Sequence, residues 1–225
     1  MRAIWAIIPV KQLSHAKQRL SAVLGLGERR ALGLAMLEDL LDALRKTKGL
    51  SGTVIVSSDA DACDLARRYG ARIFPETGTG GLNPAVTHAA RLLAGEAAAG
   101  ALVLHGDLPL ARAEEIEQLI AASASTPALA LAPDGAHDGT NALLVCPPDL
   151  IAFRYGSESF TAHLEEAARS GVTPQVLELP GLAFDVDNVD DLFTLAAAPG
   201  RTRAQEYLRS LHLDARMPIA SAQTR

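Results

Sequence analysis

The sequence predicts an α/β fold: one three-layer sandwich, with helices on both faces of a mostly parallel sheet. Three observations carry this. Short runs recur that are apolar at every position, as strands covered on both faces require. Between them lie segments with apolar residues three and four apart, the period of a helix with one buried stripe, and such alternation builds parallel sheets. The 225 residues, 48% hydrophobic and 21% charged, suit a single domain with a sizeable core and exclude a disordered chain.

The elements follow in order. The first strand is read at Ala3–Val10; its apolar run is far below the roughly 20 residues needed to cross a bilayer, and no small-residue cleavage site follows. A helix over Glu28–Lys48 sets Leu32, Ala35, Met36, Leu40 and Leu44 in one stripe. It ends in Arg45, Lys46 and Lys48, where cations suit the helix dipole. Strands at Thr53–Ser57, Ala71–Phe74 and Ala101–His105 alternate with helices at Ala60–Tyr69, Asn83–Ala98 and Ala113–Ala122. Two strands, Ala128–Ala132 and Asn141–Cys146, then precede helices at Ser157–Ser170 and Val189–Ala197. Leu182–Asp187 reads as a further extended, strand-like run that delivers acids into the last of these helices. Residues 1–199 form the expected domain, and 200–225 add a helix near Arg201–Leu213 and a frayed tail.

The net charge of −5 argues against a nucleic-acid or polybasic membrane binder. Its distribution is uneven: residues 1–48 sum to +5 and residues 103–225 to −9. The two cysteines, Cys63 and Cys146, form no CxxC pair, so neither a disulfide framework nor a thiolate metal site is expected, and the protein reads as cytoplasmic. The six histidines are dispersed and form no HExxH motif.

Several segments can carry chemistry. Val10–Leu20 follows the first strand and holds Lys11, Lys17 and Arg19. Loops at the carboxyl ends of parallel strands line the ligand crevice, so these cations suit a polyanion, although a solvated surface loop fits them too. Pro75–Asn83 carries Gly78, Gly80 and Gly81 before a helix; bare backbone and free helix N–H groups admit a nucleotide, with an ordinary flexible loop as the alternative. Asp107 ends the buried strand ALVLH and precedes Pro109, placed for a magnesium ion or for a helix cap. Asp185 and Asp187, two apart, share a face in extended chain, an arrangement that a cation relieves; Asn188 and Asp191 also fit a capping box. Finally, Thr140 in DGTN and Gly156 and Ser159 in YGSES offer hydroxyls and open backbone near a helix start.

In this order, IIPVKQLSHAKQRL, GGLN, LHGDLPL, DGTNALLV, YGSESFTAH and FDVDNVDDL resemble the 2-phospho-L-lactate and phosphoenolpyruvate guanylyltransferases of deazaflavin coenzyme F(420) biosynthesis, over roughly Ile4 to Leu192. The resemblance implies a Rossmann-like nucleotidyltransferase fold of the GT-A-like type. It implies GTP as substrate, one or two magnesium ions, and a phosphorylated three-carbon acid as acceptor: phosphoenolpyruvate, 2-phospho-L-lactate or 3-phospho-D-glycerate. Lys17 and Arg19 would hold the triphosphate with Lys11 close by. Gly80, Gly81 and Asn83 would approach the guanosine, helped by Ser58 and Asp59. Asp107, Asp185 and Asp187 would bind magnesium, Asp107 serving catalysis as well, and Thr140, Gly156 and Ser159 would take the acid. Partners are therefore small molecules, with no nucleic acid and no membrane, and oligomer formation is left open by the absence of a coiled-coil pattern. Cytidylyltransferases and sugar-nucleotide pyrophosphorylases share the fold, but they open with a glycine-rich loop that this chain replaces by its lysine loop. Protection by GTP rather than CTP or UTP separates these readings. A non-catalytic nucleotide module would not need all three carboxylates.

Overall fold

The computed structural model describes residues 3–13, 17–76 and 81–213. Seven strands form one sheet in the order β3-β2-β1-β4-β6-β5-β7. The strands are β1 (Ile4–Pro9), β2 (Leu50–Val56), β3 (Arg72–Phe74), β4 (Gly100–Leu104), β5 (Ala128–Pro133), β6 (Thr140–Cys146) and β7 (Gln175–Val176). β1 pairs in parallel with β2 and β4, placing Ile7 opposite Val54 and Val103, and β3 continues the parallel set. β6 runs antiparallel to both β4 and β5. The start of β6 therefore lies at the same edge as the ends of β1, β2 and β4.

The described residues form eight α-helices: α1 (Leu26–Lys46), α2 (Ala60–Arg68), α3 (Leu82–Gly95), α4 (Ala113–Ala121), α5 (Ser159–Arg169), α6 (Pro180–Ala183), α7 (Val189–Ala197) and α8 (Arg203–Ser210). The continuous apolar strands have a plain cause. Along β4, β5 and β6 alternate residues enter two different cores: Leu102, Ala130 and Leu144 pack with α1, α2 and α4, while Val103, Leu131 and Val145 pack with α3 and α5. A strand covered twice cannot spare a polar face.

Helix α1 serves two cores. Leu37, Leu40, Leu41 and Leu44 face the sheet, whereas Leu32 and Met36 join Leu192, Leu195, Ala204 and Leu208 of α7 and α8 in a third cluster. Helix α8 is capped by Thr202, and its Gln205, fully buried, donates to the Leu195 and Ala198 carbonyls. The expected elements are present, with ends moved by at most three residues. One expectation is corrected. Residues 182–187 are not a strand: Leu182 and Ala183 close the short helix α6, and Phe184 to Asn188 form an irregular loop. Pro180 at the start of α6 favours that helical turn. Sequence reading passed over α6, the two-residue β7 and the 3-10 turn Gln18–Leu20 because each is shorter than a period that could reveal it.

Candidate active site

The end of β1 is pinned before it reaches the lysine loop. The Val10 N–H donates to the Val56 carbonyl at 2.9 Å, and the Leu13 N–H to Asp59 Oδ2 at 3.1 Å. Asp59 also caps α2 through the N–H groups of Asp61 and Ala62 and pairs with Arg30, at 3.1 Å. Burial opposes its charge, but the Ala62 and Leu13 N–H groups and the Arg30 guanidinium hold its carboxyl below the usual carboxylate range. The Asp59 carboxylate, expected to help at the nucleotide, is engaged as an anchor of the lysine loop. Ser58 is exposed beside it and does not line the cleft described below.

Beyond the pinned segment, Lys17 adopts a left-handed backbone, φ 54° and ψ 43°, and opens the 3-10 turn that carries Arg19. The Lys17 ammonium sits between two acids from distant loops. It donates to Asp107 Oδ2, just past β4, and to Asp187 Oδ1 at 2.8 Å. Its side chain is only 10% exposed, while that of Arg19 is 79% exposed, with a nitrogen 3.9 Å from Asp187. Burial pulls the ammonium towards neutrality, yet Asp107 and Asp187 outweigh it and raise the Lys17 pKa. The same pairing lowers Asp107 against its own desolvation. Asp185 lies in the same loop as Asp187 and is held by the Asn141 side-chain amide at 3.4 Å. Burial first, then Asp107 and Asp187, push its carboxyl up to about 6. At Asp185, burial and the two neighbouring carboxylates thus outweigh the help of the Asn141 amide and Lys17. Asp107 Oδ1 is buried without a hydrogen-bond partner among the described residues.

The loop bearing Asp185 and Asp187 is positioned from behind. Gly181 in α6 lies so close to the Leu110 carbonyl and Glu115 that a Cβ there would clash, and the Gly181 N–H donates to the buried Glu115 carboxylate at 3.0 Å. At the far end, Asn188 caps α7, and Asp191 returns two bonds of 2.8 Å to the Asp187 and Asn188 N–H groups. The capping reading of Asn188 and Asp191 holds. It leaves the Asp185 and Asp187 carboxylates unspent.

Two clefts meet at this cluster. One, of about 650 Å³, is lined by Lys11, Lys17, Arg19, Glu76, Asp107 and Asp187. The other, of about 440 Å³, is lined by Asp134, Asp138, Asp185 and Asn188, and shares Arg19 and Asp187 with the first. A larger groove of about 780 Å³ between α1, α4 and α8 contains none of the clustered carboxylates.

Three expected acceptor residues gather, but two are turned inward. The Thr140 N–H donates to Ser159 Oγ at 3.0 Å, and Thr140 Oγ1 meets His163 Nδ1 at 3.0 Å. Both residues are buried. His163 Nε2 accepts the Arg154 N–H, so the ring is neutral with its proton on Nδ1; burial lowers its pKa to about 4. Thr140 and Ser159, expected to take the acid, are thus joined with His163 in one buried hydrogen-bond network. Gly156 alone of the three is exposed, at φ 139°. Asn83 is likewise engaged: its amide donates to the Tyr155 carbonyl at 2.9 Å and accepts the Tyr155 N–H at 2.7 Å. Asn83, expected to approach the guanosine, thus also holds the Tyr155 backbone. Gly81 opens α3 at φ 80° with no side-chain cap, and Gly80 lies outside the described residues. Sequence reading missed Arg30, His163 and Glu115, whose partners are 29, 23 and 66 residues away, because no local spacing signals them.

The carboxylates do not close on one point by themselves: among the described residues, no group of three or more His, Cys, Asp or Glu could hold a metal ion. The family model described as "Guanylyl transferase CofC like" matches residues 4–225. The chain belongs to the CofC-like guanylyl transferase family. Among CofC-like relatives, the phosphoenolpyruvate guanylyltransferase of Roseiflexus sp. (strain RS-1) is 43% identical, covering 92% of this chain and 90% of its own. The 2-phospho-L-lactate guanylyltransferase of Methanothermobacter thermautotrophicus is 33% identical, with 92% and 90% covered. A solved structure from Desulfovibrio desulfuricans G20, described as a putative nucleotide-diphospho-sugar transferase, aligns with a TM-score of 0.75 at 19% identity, over 93% of this chain and 95% of that one. The CofC-like chain therefore has the nucleotidyltransferase fold expected from its motifs. None of its described helices is long and apolar enough to cross a membrane.

Proposed function

We propose that this site transfers the guanylyl group of GTP to the phosphate of a phosphorylated three-carbon acid and releases pyrophosphate. One observation carries the reading: the Lys17, Asp107 and Asp187 cluster stands where a lysine- and arginine-lined cleft meets a second, more acidic one. The triphosphate occupies the first cleft and the acceptor the second, bringing the acceptor phosphate beside the α-phosphorus. An acceptor oxygen bonds to that phosphorus as the bridge to the β-phosphate breaks. No general base is needed, because a phosphate monoester is already anionic near neutral pH, with a second pKa of about 6. The protein's work is placement and neutralisation. Lys17 and Arg19 balance charge on the triphosphate and the departing pyrophosphate, and Lys11 extends the cationic wall. The first N–H groups of α3, beyond Gly81, donate to nucleotide oxygens.

The residues fit a magnesium ion. Asp107 keeps an unpartnered buried oxygen, Asp185 is raised by burial and then by the neighbouring Asp107 and Asp187, and an all-oxygen donor set of few carboxylates completed by phosphate is what magnesium takes. Asp107, Asp187 and Asp185, which do not close on one point unaided, would hold it together with phosphate oxygens. When bound, it would supply charge neutralisation to the phosphates.

Phosphoenolpyruvate is the acceptor assigned here, since the Roseiflexus relative at 43% identity bears that name. Incubation with GTP, MgCl2 and phosphoenolpyruvate, 2-phospho-L-lactate or 3-phospho-D-glycerate, followed by pyrophosphate release, tests the assignment. The highest kcat/KM is expected with phosphoenolpyruvate; no release with any of the three removes the reading.

A further inference from the structure

We infer that Lys17 is the resident cation of the carboxylate cluster and keeps it closed to a free divalent ion until a polyphosphate draws the ammonium away. The inference deepens the reading above and rests on it. Among the described residues, Lys17 is the one side chain bonded to both Asp107 and Asp187. It is nine-tenths buried there, whereas Arg19 stays in solvent at the rim. Its left-handed backbone is unusual for a residue with a Cβ. Such a conformation persists only where the surroundings hold it, and here the two acids are what hold the side chain. A divalent ion arriving alone would have to share two carboxylates with an ammonium, at a like-charge cost, or expel it without offering a partner. A triphosphate offers that partner. Lys17 then passes from carboxylate to phosphate, and Asp107 and Asp187 become available, with the spare oxygen of Asp107 already turned inward. Metal and nucleotide accordingly enter together.

The test titrates MgCl2 alone into the wild type and Lys17→Met, following thermal unfolding and binding heat. The wild-type midpoint should move by less than about 1 °C, while the variant, less stable in EDTA, should gain about 4 °C or more and bind at least about tenfold more tightly. A wild type stabilised by MgCl2 as much as the variant, or a variant indifferent to MgCl2, overturns the inference. Should Lys17→Met not fold, the unmodified protein still decides. Its four lysines make ammonium nitrogen NMR tractable. One exchange-protected ammonium should persist in MgCl2 and vanish when a non-hydrolysable GTP analogue joins it; loss in MgCl2 alone, or persistence with both, refutes the gate. Failure of the analogue to bind would count against the nucleotide reading instead, since the MgCl2 titration involves no nucleotide.

Discussion

Asp107 and Asp59 are both acids just past a strand, and the sequence offers no way to tell them apart. The structure does: Asp59 is spent on Arg30, Leu13 and the α2 cap, whereas Asp107 keeps a free buried oxygen. Opposite phenotypes follow. Asp107→Asn should lower kcat by about 100-fold or more, the range for losing one preorganised electrostatic group, with the unfolding midpoint retained. Asp59→Ala should cost about 2 kcal/mol, combining a lost cap with an unpaired Arg30, and leave the KM for GTP within about threefold; urea unfolding and steady-state kinetics separate the two. His163 has a pH signature. Its folded pKa of about 4 lies below the ordinary 6.5, so the unfolded chain takes up its proton first and stability falls as pH drops from 6.5 towards 4. Between pH 7 and 5 this amounts to about 2 kcal/mol. Urea midpoints of His163→Gln should show a correspondingly smaller acid loss than wild type, and an equal loss would refute the assignment.

At the scale of elements, the long ones were legible because their periods are. The stripe Leu32, Met36, Leu40 and Leu44 marks α1, and the unbroken runs mark β4 and β6. The site was legible only as a set of loops. Which carboxylate meets which cation depends on contacts such as Lys17 to Asp187, 170 residues apart, and no local pattern encodes them. The link between α3 and the Tyr155 loop is of this kind. Asn83 imitates a strand partner, accepting and donating across one residue's backbone, so the first turn of α3 and the loop bearing Gly156 are tied together. Asn83→Ala should raise the acceptor KM about tenfold, the equivalent of roughly 1.4 kcal/mol, while Tyr155→Phe, which retains the backbone bonds, should not; initial rates over an acceptor series distinguish them.

For the whole molecule, two cores share the sheet, and α1 joins one of them to a third that is assembled across the widest stretch of chain. Leu32 and Met36 meet Leu192, Leu195, Ala204 and Leu208 there, while Arg203 pairs with Asp42 and its N–H reaches Asp39. An expected domain ending at residue 199 omits this cover. Truncation after Pro199 should therefore cost at least about 3 kcal/mol, the worth of uncovering two large apolar side chains, and raise dye binding to exposed apolar surface; a truncated chain with the parental unfolding midpoint would refute the third core's role. The reversed strand β6 has a different consequence. Every other strand meeting the crevice arrives by its end, but β6 arrives by its beginning, through the hairpin from Pro133 to Thr140. A hairpin can lengthen or shorten without resetting the parallel strands beside it. The crevice is thus modular: one half is fixed by crossover connections, and the other hangs on a single turn where acceptor preference can diverge while nucleotide handling stays put.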